Sequence, residues 1–423
     1  MKFFRIYIHL SIKNFLKSFF INFNKKREKV IIKILSENSK KKNVILTSQC
    51  RVSLILVLKY LKEKYPQKNE IIFSPYNLPE IINVAKNVNF SPVFCDFDYN
   101  SAFFNLKKIK KIINNKTAAV VLTNMFNSYQ QSKDLKKICK SRKVFLIEDN
   151  AIYFDNYKKI GIKKYFSGSV GDFTIYSFNI MKNISALYGG AVTSNNENFY
   201  KFANSSLNDF KSFPKLIMLK QILVFFSLKI MSVNLFYKSV FFKIIKYAHS
   251  NDILFLMKIF YPNLKFKISK FPNYYFTKIS QLSKKLIYFQ LIDSLERKNV
   301  HQTRKNKNVY YYKKINVSKN KYFKTFNISD FNYQNFIDFP ILAKHKEELI
   351  KFLLMNGIEV RTFYYADCSK IFRVANKINN SNARLYNDEI VCLPNNKNIS
   401  YEYIDFVVLK IFEFYKQKSH MNY

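Results

Sequence analysis

Seven short apolar runs alternate with helix-forming segments between about residue 43 and residue 195 of this 423-residue chain. Runs of this length that are rich in Val, Ile, Leu and Phe are typical of buried strands. The expected strands are Val44–Thr47, Ile71–Ser74, Pro92–Asp96, Ala118–Leu122, Val144–Glu148, Phe173–Ser177 and Ala191–Thr193. The expected helices between several of them are Arg51–Lys64, Pro79–Asn87, Leu106–Ile113 and Ser132–Lys140. This alternation predicts an α/β domain with a mostly parallel sheet, whose ligand site lies at the carboxyl ends of the strands.

The remaining segments follow other patterns. From about residue 286 the chain predicts a smaller α+β domain, with helices at Leu286–Tyr311, His345–Asn356 and Tyr401–Lys416 and a strand at Asn335–Leu342. The run Gly357–Arg361 is expected to lead into a further strand. We therefore divide the chain into an N-terminal helix (1–28), a large α/β domain (29–210), an apolar helical insertion (211–285) and a small C-terminal domain (286–423).

Two segments have the composition of membrane-surface helices. Residues 1–23 carry Lys2, Arg5, His9, Lys13 and Lys17 at steps of three and four among apolar side chains, which predicts a basic stripe along a helix. Leu216–Tyr247 is strongly apolar, but its lysines leave uncharged runs near eight residues, well short of the ~20 that a membrane span needs. Two interpretations stand for both segments: contact with one leaflet of an anionic membrane, or packing on the protein itself as a cover or a dimer contact.

The composition excludes some classes of partner. The net charge is +43, but only nine of the 71 basic residues are Arg, the side chain best suited to bidentate phosphate and base recognition. The lysines are scattered through every segment, and no nucleic-acid-binding motif is present, so we expect no nucleic-acid partner. The five cysteines form no CxxC pair and have no histidine at metal-ligand spacing, so we expect reduced thiols, a cytoplasmic location and no metal site.

Glycines single out one lysine as the reactive group. The chain has only six glycines, and four of them, Gly168, Gly171, Gly189 and Gly190, lie on either side of Lys182. Because glycine is needed where the backbone must approach another group closely, this cluster predicts a tightly shaped loop around Lys182. Asp149 ends a predicted strand and Ser177 ends the next. A lysine, a carboxylate and a phosphate donor at one sheet edge are the groups that pyridoxal phosphate (PLP) requires.

Eight motifs in order resemble the DegT/StrS family of sugar aminotransferases, whose fold is that of the PLP-dependent transferases of fold type I. The resemblance covers roughly residues 40–210 and 286–416. The motifs are Thr47–Leu54, Phe73–Asn77, Pro92–Asp98, Ile147–Ala151, Gly168–Asp172, Ser177–Asn183, Gly189–Val192 and Gly357–Arg361 followed by Leu393-Pro394.

The resemblance implies a role for each matching residue. Lys182 would form the Schiff base with PLP and shuttle the proton, and Asp149 would pair with the pyridine nitrogen. Ser177 and the backbone at Cys50 and Arg51 would hold the phosphate. Asn183 follows the lysine as in the family and is expected to serve the neighbouring subunit's site, since the resemblance implies a homodimer.

Three positions depart from the family pattern. Gln49-Cys50 stands where the family usually has Gly-Thr in the phosphate loop, and Ile152 stands where a Gln or His usually touches the phenolic oxygen. Leu78 occupies the place of the flat group that stacks on the cofactor, with Tyr76 two residues away as a substitute. A lysine at position 182 argues against the family's dehydratase branch, which has His there.

The resemblance implies a PLP-dependent aminotransferase that converts a keto group of a nucleotide-activated sugar to an amine for surface-glycan synthesis, with an amino acid such as glutamate as donor. We expect this enzyme in the cytoplasm, peripheral at the inner face of the membrane. The alternative is a membrane-associated scaffold or binding protein with the same fold and a vestigial PLP pocket, which the departures at Gln49, Leu78 and Ile152 favour.

Overall fold

The computed structural model describes most of the chain. The described residues are 3–152, 154, 166–253, 255, 268–296, 298–317, 320–328, 338–361, 365–373 and 381–421. The predicted strand start at 335–337 therefore lies outside the described residues, as does the segment directly after Arg361.

A seven-stranded sheet forms the centre of the large domain. Its strands are β1 (Asn43–Thr47), β2 (Glu70–Phe73), β4 (Ser91–Phe94), β5 (Thr117–Thr123), β6 (Phe145–Asp149), β7 (Phe173–Ser177) and β8 (Gly190–Ser194). Their order across the sheet is β1-β8-β7-β6-β5-β2-β4. Strand β8 runs antiparallel to β1 and β7, and the other neighbouring pairs are parallel. The prediction of a mostly parallel sheet with these seven strands is confirmed.

Helices cover the large sheet as the alternation predicts. They are α2 (Lys25–Ser39), α3 (Cys50–Lys64), α4 (Pro79–Asn87), α5 (Leu106–Ile112), α6 (Tyr129–Ser141) and α7 (Glu197–Asn208). Helix α3 is the most buried of these, with nine of its fifteen residues inside the core. Burial on this scale holds the N-terminus of α3 firmly against the sheet, because each fully buried aliphatic side chain contributes about 1.5–3 kcal/mol.

The small domain is α+β, as predicted. Strands β9 (Phe323–Thr325), β10 (Phe339–Ala343) and β12 (Ile390–Leu393) form an antiparallel sheet in the order β12-β10-β9. Its helices are α10 (Gln281–Glu296), α11 (Lys298–Asn316), α12 (Lys346–Met355), α13 (Cys368–Phe372), α14 (Ser381–Glu389) and α15 (Tyr401–Met421). The short strand β11 (Ala366–Asp367) pairs with β3 (Tyr76–Asn77) of the large domain, so the two domains share a two-stranded ladder.

The N-terminal segment is not the continuous helix that the basic spacing predicts. Residues 3–11 are not helical, and helix α1 covers only Ile12–Phe20. Phe4, Ile8 and Leu10 are buried, and Arg5 pairs with the carboxylate of Glu359 in the small domain. The prediction of one helix with a basic stripe over residues 1–23 is therefore wrong, because tertiary packing of these apolar side chains outweighs the local helical pattern.

The insertion forms two helices that meet at a sharp bend. Helix α8 is Lys215–Met231, and helix α9 is Asn234–Ser250 with a π turn at Tyr237–Phe241. Within the described part of the chain, no single helix has the length and apolarity to cross a membrane, whereas α8 and α9 taken together meet that criterion but are bent by 75°.

Candidate active site

Three parallel strands end side by side at one edge of the large sheet. Thr123 at the end of β5 lies in register with Asp149 at the end of β6, and Asp149 lies in register with Ile175 of β7, two residues before Ser177. Ligands of parallel α/β sheets bind beyond the carboxyl ends of their strands. The fold thus brings Asp149 and Ser177 to the position where such a ligand would lie.

Gly190 allows the N-terminus of α3 to lie directly against this edge. A Cβ atom at position 190 would come within 2.4 Å of the backbone nitrogen of Cys50 and within 2.4 Å of the carbonyl carbon of Gln49. Only glycine permits so close a backbone approach. Gly190 therefore has a structural reason, which is the close packing of the start of α3 on β8.

A cavity of about 320 Å³ opens where these elements meet. That volume lies within the range of small-molecule sites, which are commonly 300–1,000 Å³. Eight of the residues proposed from the sequence or its departures line it: Gln49, Cys50, Arg51, Leu78, Asp149, Ile152, Ser177 and Lys182. Residues that lie far apart in sequence therefore form one site.

Lys182 and Asp149 both line this cavity. Burial lowers the pKa of Lys182 because it disfavours the ammonium form, and the negative charge of Asp149 opposes that shift. Burial raises the pKa of Asp149 to about 6, although the backbone N–H of Ala151 donates to its carboxylate and Lys182 attracts it. A partly buried amine and a buried carboxylate with shifted pKa values in one cavity are typical of a catalytic site.

The start of α3 supplies hydrogen-bond donors to the same cavity. The first N–H groups of a helix have no partner within the helix, and they carry partial positive charge. Gln49, the residue before α3, is 7% exposed, and its side-chain Nε2 has no hydrogen-bond partner among the described residues. Ser177 at the end of β7 adds a hydroxyl group to this set. These donors could hold a phosphate group.

The guanidinium of Arg51 lies at the cavity wall beside two residues that sequence reasoning did not identify. Arg51 Nη1 donates to the hydroxyl of Tyr275 at 3.0 Å, and Arg51 Nη2 lies 3.6 Å from Glu80 Oε1. The family resemblance implies that the backbone of Arg51 would hold the cofactor phosphate. The structure adds that its side chain carries a positive charge at the same opening.

Two of the proposed site residues do not line the cavity. Tyr76 is fully buried in the small-domain core, where its ring packs edge-on against Tyr365 and Tyr386. The amide of Asn183 accepts from Arg304 at 2.9 Å and donates to the carbonyl of Phe154 at 3.1 Å, within the same chain. Tyr76 therefore does not take the place of Leu78 at the cavity. Asn183 links the lysine loop to α11 through its hydrogen bond from Arg304.

Tyr188 and Tyr365 are the aromatic residues that do line the cavity. Position 188 directly precedes Gly189-Gly190, so its proximity to the site could have been read from the motif spacing. Tyr365 lies next to strand β11, which pairs with β3, and only that long-range ladder brings it to the site. Within the described ranges, no group of three or more His, Cys, Asp or Glu side chains is arranged to hold a metal ion.

Comparison with known families agrees with this geometry. Residues 12–210 match the DegT/DnrJ/EryC1/StrS aminotransferase family. Over that region the chain is similar to this family. The matched region contains Lys182, Asp149, Ser177 and the start of α3, so the predicted resemblance is confirmed for the large domain.

The chain is similar to proteins of known and unknown function. It is 31% identical over 157 residues to an uncharacterized protein of Methanocaldococcus jannaschii, an alignment that covers 37% of this chain and 39% of the relative. It is 29% identical over 132 residues to GDP-perosamine synthase of Escherichia coli O157:H7, covering 31% of this chain and 35% of the relative. The aligned sequence thus spans little more than a third of these relatives.

Solved structures show that the family fold extends over the whole chain. Helicobacter pylori PseC, an aminotransferase involved in the biosynthesis of pseudoaminic acid, superposes with a TM-score of 0.69 over 99% of this chain and 100% of that one, at 15% identity. A GDP-4-keto-6-deoxymannose-3-dehydratase with a trapped PLP-glutamate geminal diamine superposes with a TM-score of 0.67 over 96% of this chain and 99% of that one, also at 15% identity. The predicted fold of the PLP-dependent transferases is confirmed.

Proposed function

We propose that this chain is a PLP-dependent aminotransferase that acts on a keto group of a nucleotide-activated sugar. The observation that carries the proposal is that the partly buried Lys182 and the buried Asp149 line one cavity, at the carboxyl edge of the sheet and at the N-terminus of α3. A nucleophilic amine, a carboxylate and a helix N-terminus are the three groups that PLP chemistry requires of a protein.

The residues present fit the cofactor. The side-chain amide of Gln49, left without a partner in the described structure, and the first N–H groups of α3 would hold its phosphate together with Ser177. Gly190 keeps the backbone at this point close to the sheet. When bound, PLP supplies the electron sink that makes an amino acid's α-hydrogen acidic.

Lys182 would act as the nucleophile and as the base that moves the proton. Its lowered pKa increases the fraction of neutral amine near neutral pH, and the neutral amine is the form that attacks carbonyl groups and accepts protons. Its place in the cavity wall, on the tightly folded loop between β7 and β8, restricts the directions from which it can approach a ligand.

Asp149 would hold the proton on the pyridine nitrogen. Burial raises its pKa to about 6 by disfavouring the bare carboxylate, so a cationic partner at this position would offset that cost. The apolar side chains of Leu78 and Ile152 at the same cavity keep water away from this pair.

The substrate class rests on the relatives. The E. coli relative is named for the synthesis of GDP-perosamine, and the H. pylori structure is an aminotransferase in pseudoaminic acid biosynthesis. We therefore propose a nucleotide-sugar substrate, an amino-acid donor such as glutamate, and a product that enters surface-glycan synthesis. The alternative of a scaffold with a vestigial pocket is weakened by the retention of Lys182, Asp149 and Ser177 in one cavity.

Replacing Lys182 by Ala tests the proposal. The parent protein titrated with PLP should show the visible absorption band of a covalently bound cofactor and should transfer amino groups from glutamate. The Lys182→Ala variant should lose both, because no other lysine lines the described cavity. Its folding is checked by circular dichroism. A parent protein that shows no band supports the scaffold, and a variant that keeps the band assigns the chemistry to another lysine.

We also propose that the enzyme works at the anionic inner face of a membrane. Helix α1 packs on α8 through the ring of Phe15, which contacts Phe225 and Phe226. The two helices and α9 together present an apolar-lysine surface, which consists of the exposed residues Ile12, Lys13, Leu16, Lys17, Phe19, Phe20, Lys215, Leu216, Leu219, Lys220, Leu223, Val224, Ile230, Val233, Leu235, Phe236, Lys238, Val240, Lys243, Lys246 and Tyr247.

The charge of this surface favours lipid as its partner. Residues 215–250 contain six lysines and no acidic residue. Each lysine near an anionic leaflet contributes about 1 kcal/mol, and exposed Phe and Leu side chains gain further free energy by entering the acyl region. Flotation with anionic and neutral vesicles measures this binding.

A homodimer stays a prediction from the family resemblance. The hydrogen bonds of Asn183 lie within one chain, so its expected role in a neighbouring subunit's site gains no support from its geometry. Sedimentation equilibrium in detergent-free buffer would measure the oligomeric state. A monomer that is fully active would remove the dimer from the proposal.

A further inference from the structure

One side chain of the insertion lies against the loop that carries Lys182. Gln221 is on α8, and its Nε2 lies 3.3 Å from the carbonyl oxygen of Leu187 and 3.4 Å from Oδ1 of Asn179. Asn179 precedes the lysine by three residues and Leu187 follows it by five. A single amide group from the insertion therefore spans both sides of the lysine loop.

The loop closes on itself at the point where Gln221 contacts it. The backbone N–H of Phe178 donates to the carbonyl of Gly189 at 2.9 Å, and that of Ala186 donates to the carbonyl of Phe178 at 2.8 Å. Within the loop, the N–H of Lys182 donates to the carbonyl of Asn179 at 2.9 Å. The contacts of Gln221 thus add a cross-link from outside to the base of a compact loop.

Leu187 has a backbone conformation that depends on such support. Its φ is +65°, a left-handed value that is unfavourable for leucine, and the N–H of Tyr188 donates to the carbonyl of Ala186 across it at 2.7 Å. Strained turns of this kind persist where the surrounding structure holds them. Gln221 donates to the carbonyl group of the strained residue itself.

A second contact joins the insertion to the small domain beside the site. The hydroxyl of Tyr237 on α9 donates to Glu359 at 2.7 Å, and Glu359 also accepts from Arg5. Glu359 is buried and precedes Arg361 by two residues. The insertion therefore contacts the lysine loop of the large domain through α8 and the Gly357–Arg361 segment of the small domain through α9.

We propose that the insertion holds the Lys182 loop in its working position, with Gln221 as the positioning residue. The insertion begins after residue 210, where the match to the family ends. Its outer face is part of the apolar-lysine surface. The effect on chemistry rests on the proposed aminotransferase function, whereas the effect on the loop does not.

Amide hydrogen exchange of the cofactor-free protein tests the positioning role without any activity. In Gln221→Leu, peptides that cover residues 178–189 should exchange about three- to tenfold faster than in the parent, because the loop loses one or two hydrogen bonds. Gln221→Glu should give at least the same increase, since a carboxylate cannot donate to either acceptor. The control is Ser227→Ala, an exposed position on the same helix whose hydroxyl donates only within α8.

A cofactor titration connects the loop to the site. We expect Gln221→Leu to weaken PLP binding and to change the pH at which the visible band titrates, while Ser227→Ala matches the parent in both. Unchanged exchange over 178–189 in both Gln221 variants would overturn the proposal. If the Gln221 variants exchange faster but the parent shows no visible PLP band, the positioning role stands and the proposed enzymatic function is wrong.

Discussion

Replacing Asp149 by Asn should make the cofactor-free protein more stable at neutral pH. Burial raises the pKa of this carboxyl from an ordinary value of 3.8 to about 6. One pKa unit is equivalent to 1.36 kcal/mol, so above pH 6 the ionised carboxylate lowers the free energy of unfolding of the cofactor-free protein by about 3 kcal/mol. Asn has nearly the same shape and can still accept the N–H of Ala151, but it carries no charge to desolvate.

The sign of the pH dependence follows from the direction of the shift. Because the folded protein binds the proton of Asp149 more tightly than the unfolded chain does, the stability of the parent falls as pH rises from about 4 to about 6. Below pH 4 the carboxyl is protonated in both states, so the parent and Asp149→Asn should differ little. Above pH 6 the variant should be more stable by up to about 3 kcal/mol.

Urea unfolding of PLP-free protein at a series of pH values between 4 and 7.5 measures this difference. The control is Asp134→Asn, because Asp134 is exposed and hydrogen bonds from Gln130 and Lys137 lower its pKa, so its contribution has the opposite sign. A stability gain for Asp149→Asn that does not change with pH would refute the reasoning. With PLP bound, the same variant should keep the cofactor but lose several orders of magnitude in turnover, since a neutral partner does not hold the pyridine proton.

Two further predictions concern the cofactor cradle and the membrane surface. Gly190→Ala should displace the start of α3 by about 1 Å and weaken PLP binding at least tenfold. The control is Gly171→Ala, which should lower stability without weakening PLP binding, because its Cβ would come within 2.8 Å of a carbonyl oxygen away from the cavity. Equal PLP affinity in both variants would contradict the assignment of the phosphate site. The double variant Leu219→Ser/Leu223→Ser should reduce flotation with anionic vesicles by about tenfold or more, whereas Leu409→Ser, at a similarly exposed position, should leave it unchanged. If the parent does not bind vesicles and instead self-associates through these leucines, the surface is a dimer contact.

Removing residues 1–23 would not test lipid contact alone, because the deletion would also destabilise the fold. The structure buries Phe4, Ile8 and Leu10 and pairs Arg5 with Glu359, next to the small-domain segment that leads to Arg361. Losing several buried aliphatic and aromatic side chains costs about 2–5 kcal/mol each. Point substitutions at exposed positions of α8 therefore separate lipid contact from folding better than a deletion does.

Local sequence patterns were enough to predict the large domain and the residues at the centre of the proposed site. Strand-length apolar runs and helix-forming segments alternate there, and each local preference agrees with the final fold, so all seven strands could be predicted within a few residues. Lys182, Asp149 and Ser177 were predicted because strand ends and glycine spacing are local features of the chain. Parallel strands bring such ends together regardless of what lies between them.

Local sequence patterns did not predict the features that depend on contacts between residues distant in the sequence. The spacing of basic residues over 1–23 suggested one helix, but burial of Phe4, Ile8 and Leu10 against distant elements gives non-helical backbone over residues 3–11. Tyr76 and Asn183 lie close in sequence to cavity residues, yet the small-domain core and Arg304 hold their side chains away from the cavity. Gln221, 39 residues after Lys182, reaches the lysine loop only because α8 folds back on it. The local sequence pattern determines which helices and strands form. Side-chain packing between elements that are distant in the sequence determines which residues face the cavity.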